Sequence, residues 1–306
     1  MIWYVLLAVL AYLLFSTVNL VDKYIVDGEE DDSDPGALMA ITGAICIFGA
    51  LVFGALTWFY GQVIPLENFI ALWANGLVYI VAMYFYNVVM KEDETSRVIP
   101  WFQTIPIFGL FLGIWLLNEV PSKFELFAIA LMILGGVLIS WQKGKKGGKF
   151  AVLMILASIL LAINDGVLAR YGREIGINAS LFVDFLGKST FGLIILVGRK
   201  ERRGFVLGLR TKFKIMVGSE VVCMGADSLL DICKLGIPIV IVQSVGCAQP
   251  IFVLIGAIII SKSLIKFVPE KAQKAIKEDI QKETLIKKVI AITLMVLGGL
   301  IFALEL

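Results

Sequence analysis

Apolar residues in this chain come in long unbroken runs, without the strict alternation of a half-buried strand or the narrow stripe of a surface helix. About 20 apolar residues are enough for a helix to cross the hydrocarbon core of a bilayer. Windows of that kind recur at 2–21, 36–58, 68–90, 97–117, 124–141, 150–169, 179–198, 214–234, 237–261 and 285–304. Polar turns separate them. Three are notable: the acidic "DGEEDDSDPG", the basic "GRKERRGFVLGLRTKFK", and the long, net basic "SKSLIKFVPEKAQKAIKEDIQKE". The pattern predicts an all-α integral membrane protein with ten transmembrane helices.

Composition agrees. Hydrophobic residues make up 59% of the chain and charged residues 17%, against about 25% charged in a soluble domain. The start, "MIWYVLLAVLAYLLF", has no basic n-region and no clear cleavage site, so it reads as a retained first helix. Cys46, Cys223, Cys233 and Cys247 all lie in apolar runs, which argues against a disulfide framework. With no histidine and no Cys-x-x-Cys pair, neither a metal site nor a cofactor is expected.

The basic residues are distributed unevenly. Of the 27 Lys and Arg, only Lys123, Arg170, Arg173 and Lys234 fall at the termini or in the turns on that same side, and Lys188 lies inside a helix. All others sit in the turns of the opposite side. Positive loops stay in the cytoplasm, so the basic loops are expected there and both termini outside. The location is the plasma (inner) membrane for a prokaryotic source. After Pro269, Ala272, Ile276 and Ile280 line one side of a basic stretch; an interfacial helix and a solvated linker are equally compatible with it.

The chain also repeats itself. "AIALMILGGVLI" (128–139) and "AITLMVLGGLIF" (291–302) share seven of twelve positions. "PIFGLFLG" from Pro106 pairs with "PIFVLIGA" from Pro250, and "DKYIV" at the end of helix one with "ARYGR" at the end of helix six. The matches fall in corresponding helices of a five-plus-five arrangement. Five is odd, so the second half enters the membrane upside-down. Inverted repeats are typical of secondary transporters, with the substrate site near the midplane between the halves. The expected units are 1–141, a basic linker at 142–149, and 150–306 with an insertion at 262–284.

"SRVIPWFQTIPIFGLFLGIWLLNEVPSKFELFAIALMILGGVLIS" resembles the end of an EamA repeat of the drug/metabolite transporter superfamily: a Pro-containing fourth helix, a Glu-containing turn and a Gly-rich fifth helix. "IVIVQSVGCAQPIFVLIGAII" and "ITLMVLGGLIF" resemble it again. The resemblance implies two EamA units, a ten-helix fold, and export or exchange of small metabolites. Two features depart from the family pattern. The turn residue Glu119 has no acidic counterpart in the second half, and many members have cytoplasmic termini.

The chemistry concentrates in the second half. In "SEVVCMGADSLLDICK", Asp227 and Asp231 lie within about 20° of Glu220 around a helix, and Lys234 within about 40°. A charge facing lipid costs about 2.5–3.5 kcal/mol, so this stripe is expected to face protein or a wet cavity. Asp184 and Lys188 are spaced i,i+4 as an intrahelical pair. Asn164 and Asp165 approach from helix six, and Asn75, Tyr79 and Gln103 from the first half. Glu220, Asp227, Asp231, Asp184, Lys188, Asp165, Asn164, Asn75, Tyr79 and Gln103 are therefore the expected substrate-binding or proton-coupling residues, with Pro106 and Pro250 as hinges or kinks. Each has a plainer alternative: Asp184 as the partner of Lys188, Asp231 and Lys234 reaching interfacial water, the amides and Tyr79 as helix-packing groups.

The expected function is secondary transport of a small organic molecule by alternating access. The substrate would carry an amino or cationic group and an apolar or aromatic body, with proton coupling open to the carboxylates. An intramembrane enzyme and a non-transporting scaffold are the alternatives. No nucleophile–base pair with histidine, metal cluster or phosphate loop favours the enzyme. The acidic loop lacks calcium-ligand spacing, and the basic loop is explained by topology and anionic lipid without nucleic acid.

Overall fold

In a computed structural model, the structure describes residues 2–26, 34–92, 98–140 and 147–259, with isolated positions between 289 and 301. Among these residues the protein is all helical. The elements are α1 (Ile2–Val26), α2 (Pro35–Phe59), α3 (Leu66–Glu92), α4 (Ile105–Leu117), α5 (Lys123–Ser140), α6 (Gly147–Ile175), α7 (Ile177–Ile194), α8 (Arg199–Thr211), α9 (Phe213–Gly236), α10 (Ile239–Val245) and α11 (Gln249–Ile259). Five segments are long and apolar enough to cross a membrane: Ile2–Asp22, Pro35–Phe59, Leu66–Glu92, Lys149–Ile175 and Ile177–Val197. At 24 residues α9 is equally long, but Glu220, Asp227, Asp231 and Lys234 interrupt its apolar run. Window 285–304 and the insertion at 262–284 lie almost wholly outside the described residues.

Local sequence sets the helix ends. The Asp34 side chain caps α2, accepting from Gly36 N at 3.1 Å and Ala37 N at 3.3 Å, with Pro35 opening the helix. Ser122 and Glu125 form a reciprocal capping box on α5, at 2.6 and 3.1 Å. Windows four and nine are each broken rather than continuous. A 3₁₀ turn at Ile99–Thr104 precedes α4, and one at Gly246–Ala248 separates α10 from α11. Pro106 and Pro250 sit just inside α4 and α11. Proline has no N–H to bond the turn before it, which accounts for a break at the same place in each half.

The basic segment 198–214, expected as a loop, forms helix α8. Phe205 and Leu209 pack inward and Gly204 and Gly208 are buried, while Arg199, Arg202 and Arg210 point out. Lys200 pairs with Asp34 at 2.7 Å, which fastens α8 to the start of α2. That carboxylate holds the Lys200 ammonium above its ordinary pKa.

α7 packs along both α2 and α3, and α3 also lies on α6. α1 lies on α9 and on α11, and α4 on α6 and α10. Two crossings are close enough to require glycine. A Cβ on Gly76 of α3 would stand 2.2 Å from the Gly187 carbonyl carbon of α7, and one on Gly43 of α2 would stand 2.9 Å from Gly192 Cα. Outward-facing apolar residues are numerous, and Trp3, Trp58, Phe59 and Trp115 are exposed. Helix direction places all four at the end of the bundle that holds the start of α1, as an interfacial aromatic belt would be.

Candidate functional site

Buried charge binds α6, α7 and α9 together. Lys188 of α7 is 1% exposed. Its Nζ lies 2.6 Å from Asp184 Oδ2, donates to Asp227 Oδ2, and stands 4.2 Å from the centroid of the Tyr79 ring. The expected i,i+4 pair on α7 is thus present and is extended to a second helix. Lys234 bridges Asp165 Oδ1 at 2.7 Å and Asp231 Oδ1 at 2.8 Å. Gln243 Nε2 donates to the other Asp165 oxygen at 2.8 Å. Asp231 and Lys234 are buried, so the plainer alternative, that the pair reaches interfacial water, does not hold: Lys234 turns inward to reach Asp165. Asp184, Asp227 and Asp231 offer oxygens within 4.8 Å of one another. Lys188 already supplies a cation to Asp184 and Asp227 in this group.

Two cavities flank this cluster. The larger, about 110 Å³, is lined by aromatic and apolar groups, among them Tyr12, Phe15, Tyr86 and Phe102, with Asp165, Asp227 and Lys234 in its polar wall. The smaller, about 20 Å³, lies toward the α8 end and is lined by Asp22, Thr42, Asn87 and Glu220 among others. Thr42 Oγ1 donates to Glu220 at 3.0 Å, and Tyr86 OH and Ser219 Oγ reach Asp22 at 3.3 and 3.4 Å. Tyr79 and Met83 line both cavities and so form the partition between them.

The expected residues divide accordingly. Asp165, Asp227, Asn164 and Tyr79 line the larger cavity, and Glu220 and Tyr79 the smaller. Asp184, Lys188 and Asp231 belong to the ionic cluster without lining either cavity. Asn75 Nδ2 donates to Asn164 O at 3.0 Å, and Asn164 Nδ2 to Asn75 O at 3.2 Å. This reciprocal clasp joins α3 to α6, so Asn75 packs helices rather than facing a cavity. The side chains of Gln103 and Pro250 lie outside the described set. Sequence reasoning did not select Asn19, Asp22, Gln243 or Gln249. Each interrupts an apolar run, the one available signal, but none sits in a charged cluster.

The end holding the start of α1 is stitched shut. Arg173 donates to Lys234 O and Ile237 O, both at 2.8 Å, and to Glu119 Oε1 at 2.7 Å. Glu119 Oε2 accepts from Ile239 N at 3.1 Å and so caps α10. Asn68 donates to Tyr171 O and Glu174, and Ala179 N to Gln62. The turn glutamate of the first half thus meets an arginine and a helix start of the second.

A bundle of apolar, membrane-length helices around buried charge and internal cavities is an integral membrane protein. Residues 2–141 match the EamA-like transporter family, consistent with a member of the drug/metabolite transporter superfamily. That is a family of transporters, not enzymes. One solved crystal structure superposes with a TM-score of 0.59 over 99% of this chain and 96% of its own, at 14% identity; the likeness is one of fold. No curated protein matches the chain.

Proposed function

We propose that the protein is a secondary transporter that moves a small organic metabolite or drug by alternating access between two inverted five-helix halves. The units are 1–141 and 150–306, joined by the basic linker 142–149. The observation that carries this reading is the larger cavity: α1, α3 and the turn before α4 from the first half face α6, α9 and α10 from the second across it. Helix packing supports the inverted relation. The α1–α9 contact is the counterpart of α6–α3, and α4–α6 of α11–α1, while α2 and α7 pair with each other. The matched breaks at Pro106 and Pro250 support it too.

The substrate carries an amino or cationic group and an aromatic or apolar body. Aromatic walls accept the body. The buried cluster sets four carboxylates (Asp165, Asp184, Asp227, Asp231) against two ammonium groups, Lys188 and Lys234. Two negative charges are left in excess, and unpaired charge is expensive away from water, so a ligand ammonium at Asp227 together with one proton in the cluster completes the balance. Glu220 serves the second cavity in the same way. The protein lies in the plasma membrane, the inner one in a prokaryote, with basic loops cytoplasmic and both termini outside. Proteoliposome uptake of amines, amino acids and nucleosides preselected by thermal shift is the test. Asp227→Asn and Glu220→Gln are expected to reduce uptake and flatten its pH dependence. Variants that transport every compound as the wild type does, at every pH, refute these roles.

A further inference from the structure

We infer that α8 is a docking surface for the phosphate headgroups of anionic phospholipids in the membrane leaflet it faces. Topology and a general attraction to anionic lipid explain a positive loop, but this segment is folded and two-sided. Positions 199, 202, 206 and 210 fall three or four apart and share one exposed side of α8. That side carries Arg199, Arg202 and Arg210 together with the apolar Val206, 43% exposed. Val197, just before the helix, is 83% exposed. Cations beside protruding apolar groups suit the boundary between headgroups and acyl chains.

The opposite side is committed to the protein. Phe205 and Leu209 join the core, and Gly204 and Gly208 are buried. The only acid in α8, Glu201, lies against Gly36 and Gly198, so its charge is drawn toward the start of α2. The outward face therefore presents cations unbalanced by any acid of its own helix. Each basic residue near an anionic leaflet adds attraction that accumulates over the cluster. Charge complementarity thus selects an anionic lipid over a zwitterionic one. Because Lys200 ties α8 to Asp34 at the cap of α2, a lipid held here bears directly on the helix that supplies Leu38, Met39 and Thr42 to the smaller cavity.

The test uses the full chain in detergent with mixed micelles of phosphatidylglycerol or phosphatidylcholine, counting retained lipid by native mass spectrometry. The wild type is expected to favour phosphatidylglycerol by about tenfold or more. Arg199→Gln, Arg202→Gln and Arg210→Gln together abolish that preference, and the three Arg→Lys changes keep most of it. Neutralising Lys123, Lys149 and Arg170 instead leaves it intact. Millimolar inorganic phosphate leaves bound lipid in place. The inference is overturned if the triple Gln variant retains the preference, if the control triple loses it equally, or if inorganic phosphate displaces the lipid. Should the Gln variant fail to purify, amide exchange of wild-type α8 decides. Protection in phosphatidylglycerol nanodiscs relative to phosphatidylcholine supports the inference, and equal exchange in both overturns it.

Discussion

Replacing Lys188 with methionine removes one cation from between two buried carboxylates while keeping much of its side-chain volume. Lys188 and Asp184 are each 1% exposed, and their charged atoms stand 2.6 Å apart. At an effective dielectric constant of about 20, that separation corresponds to an attraction of roughly 6 kcal/mol. The whole amount is not lost, because the paired state already bears a desolvation cost. Breaking a buried pair from one side typically costs about 3–5 kcal/mol, chiefly because a charge is left unpaired. Here two are left, Asp184 and Asp227, so Lys188→Met belongs at the upper part of that range. For a chain of this length the loss lowers the melting temperature by on the order of 5 °C or more. The assay is thermal unfolding of detergent-purified protein, followed by tryptophan fluorescence. The decisive comparison is with Lys188→Met combined with Asp184→Asn and Asp227→Asn. If unpaired charge is the cause, neutralising both carboxylates restores much of the stability. A single variant that melts with the wild type, or a triple variant less stable than the single, refutes the reasoning.

Arg173→Ala removes four hydrogen bonds that close the end holding the start of α1; at about 1.5–3 kcal/mol for charged hydrogen bonds, cysteine probes in the larger cavity should become labelled from that end about tenfold faster. Unchanged labelling means the stitch does not hold the bundle closed. Gly76→Ala drives a Cβ to 2.2 Å from Gly187 and should cost about 1–3 kcal/mol by overpacking. Gly218→Ala and Gly225→Ala in α9 meet nothing within 4 Å and should stabilise by about 0.5–1 kcal/mol; thermal unfolding separates the two outcomes. Tyr79→Ala merges the two cavities, so proteoliposomes should show relaxed substrate selectivity with residual uptake, whereas unchanged selectivity refutes the partition.

Much of the helical layout was legible because hydrocarbon thickness imposes a length, and the runs at 2–21, 36–58 and 68–90 needed no tertiary information. The Asp184–Lys188 pair was legible for a similar reason, since a four-residue spacing fixes its geometry within one helix. Partners between helices were not. The stripe of α9 gave the azimuth of Asp227 and Lys234 but not what they meet, and Lys234 turns inward only because Asp165 and Gln243 wait there. Asn75 carried the same ambiguity. A buried amide satisfies a backbone carbonyl or a ligand equally well, and its choice of Asn164 O depends on how closely α3 and α6 approach. α8 was missed because its charges outweighed its periodicity.

In the proposed transport cycle, the position of Lys188 links a ligand in the cavity to helix packing. Asp227 is the shared element, lining the larger cavity on one side and bonding Lys188 on the other. In the proposed cycle a ligand ammonium at Asp227 competes with Lys188, which then leans wholly on Asp184 of its own helix. Lys188 adjoins Gly187, the residue through which α7 touches α3, and α7 crosses α2 one turn further on at Gly192. Those crossings join the two proposed halves. A ligand shifts a conformational equilibrium only by its difference in affinity between the states, and a counter-ion exchanged at the seam between the halves supplies such a difference.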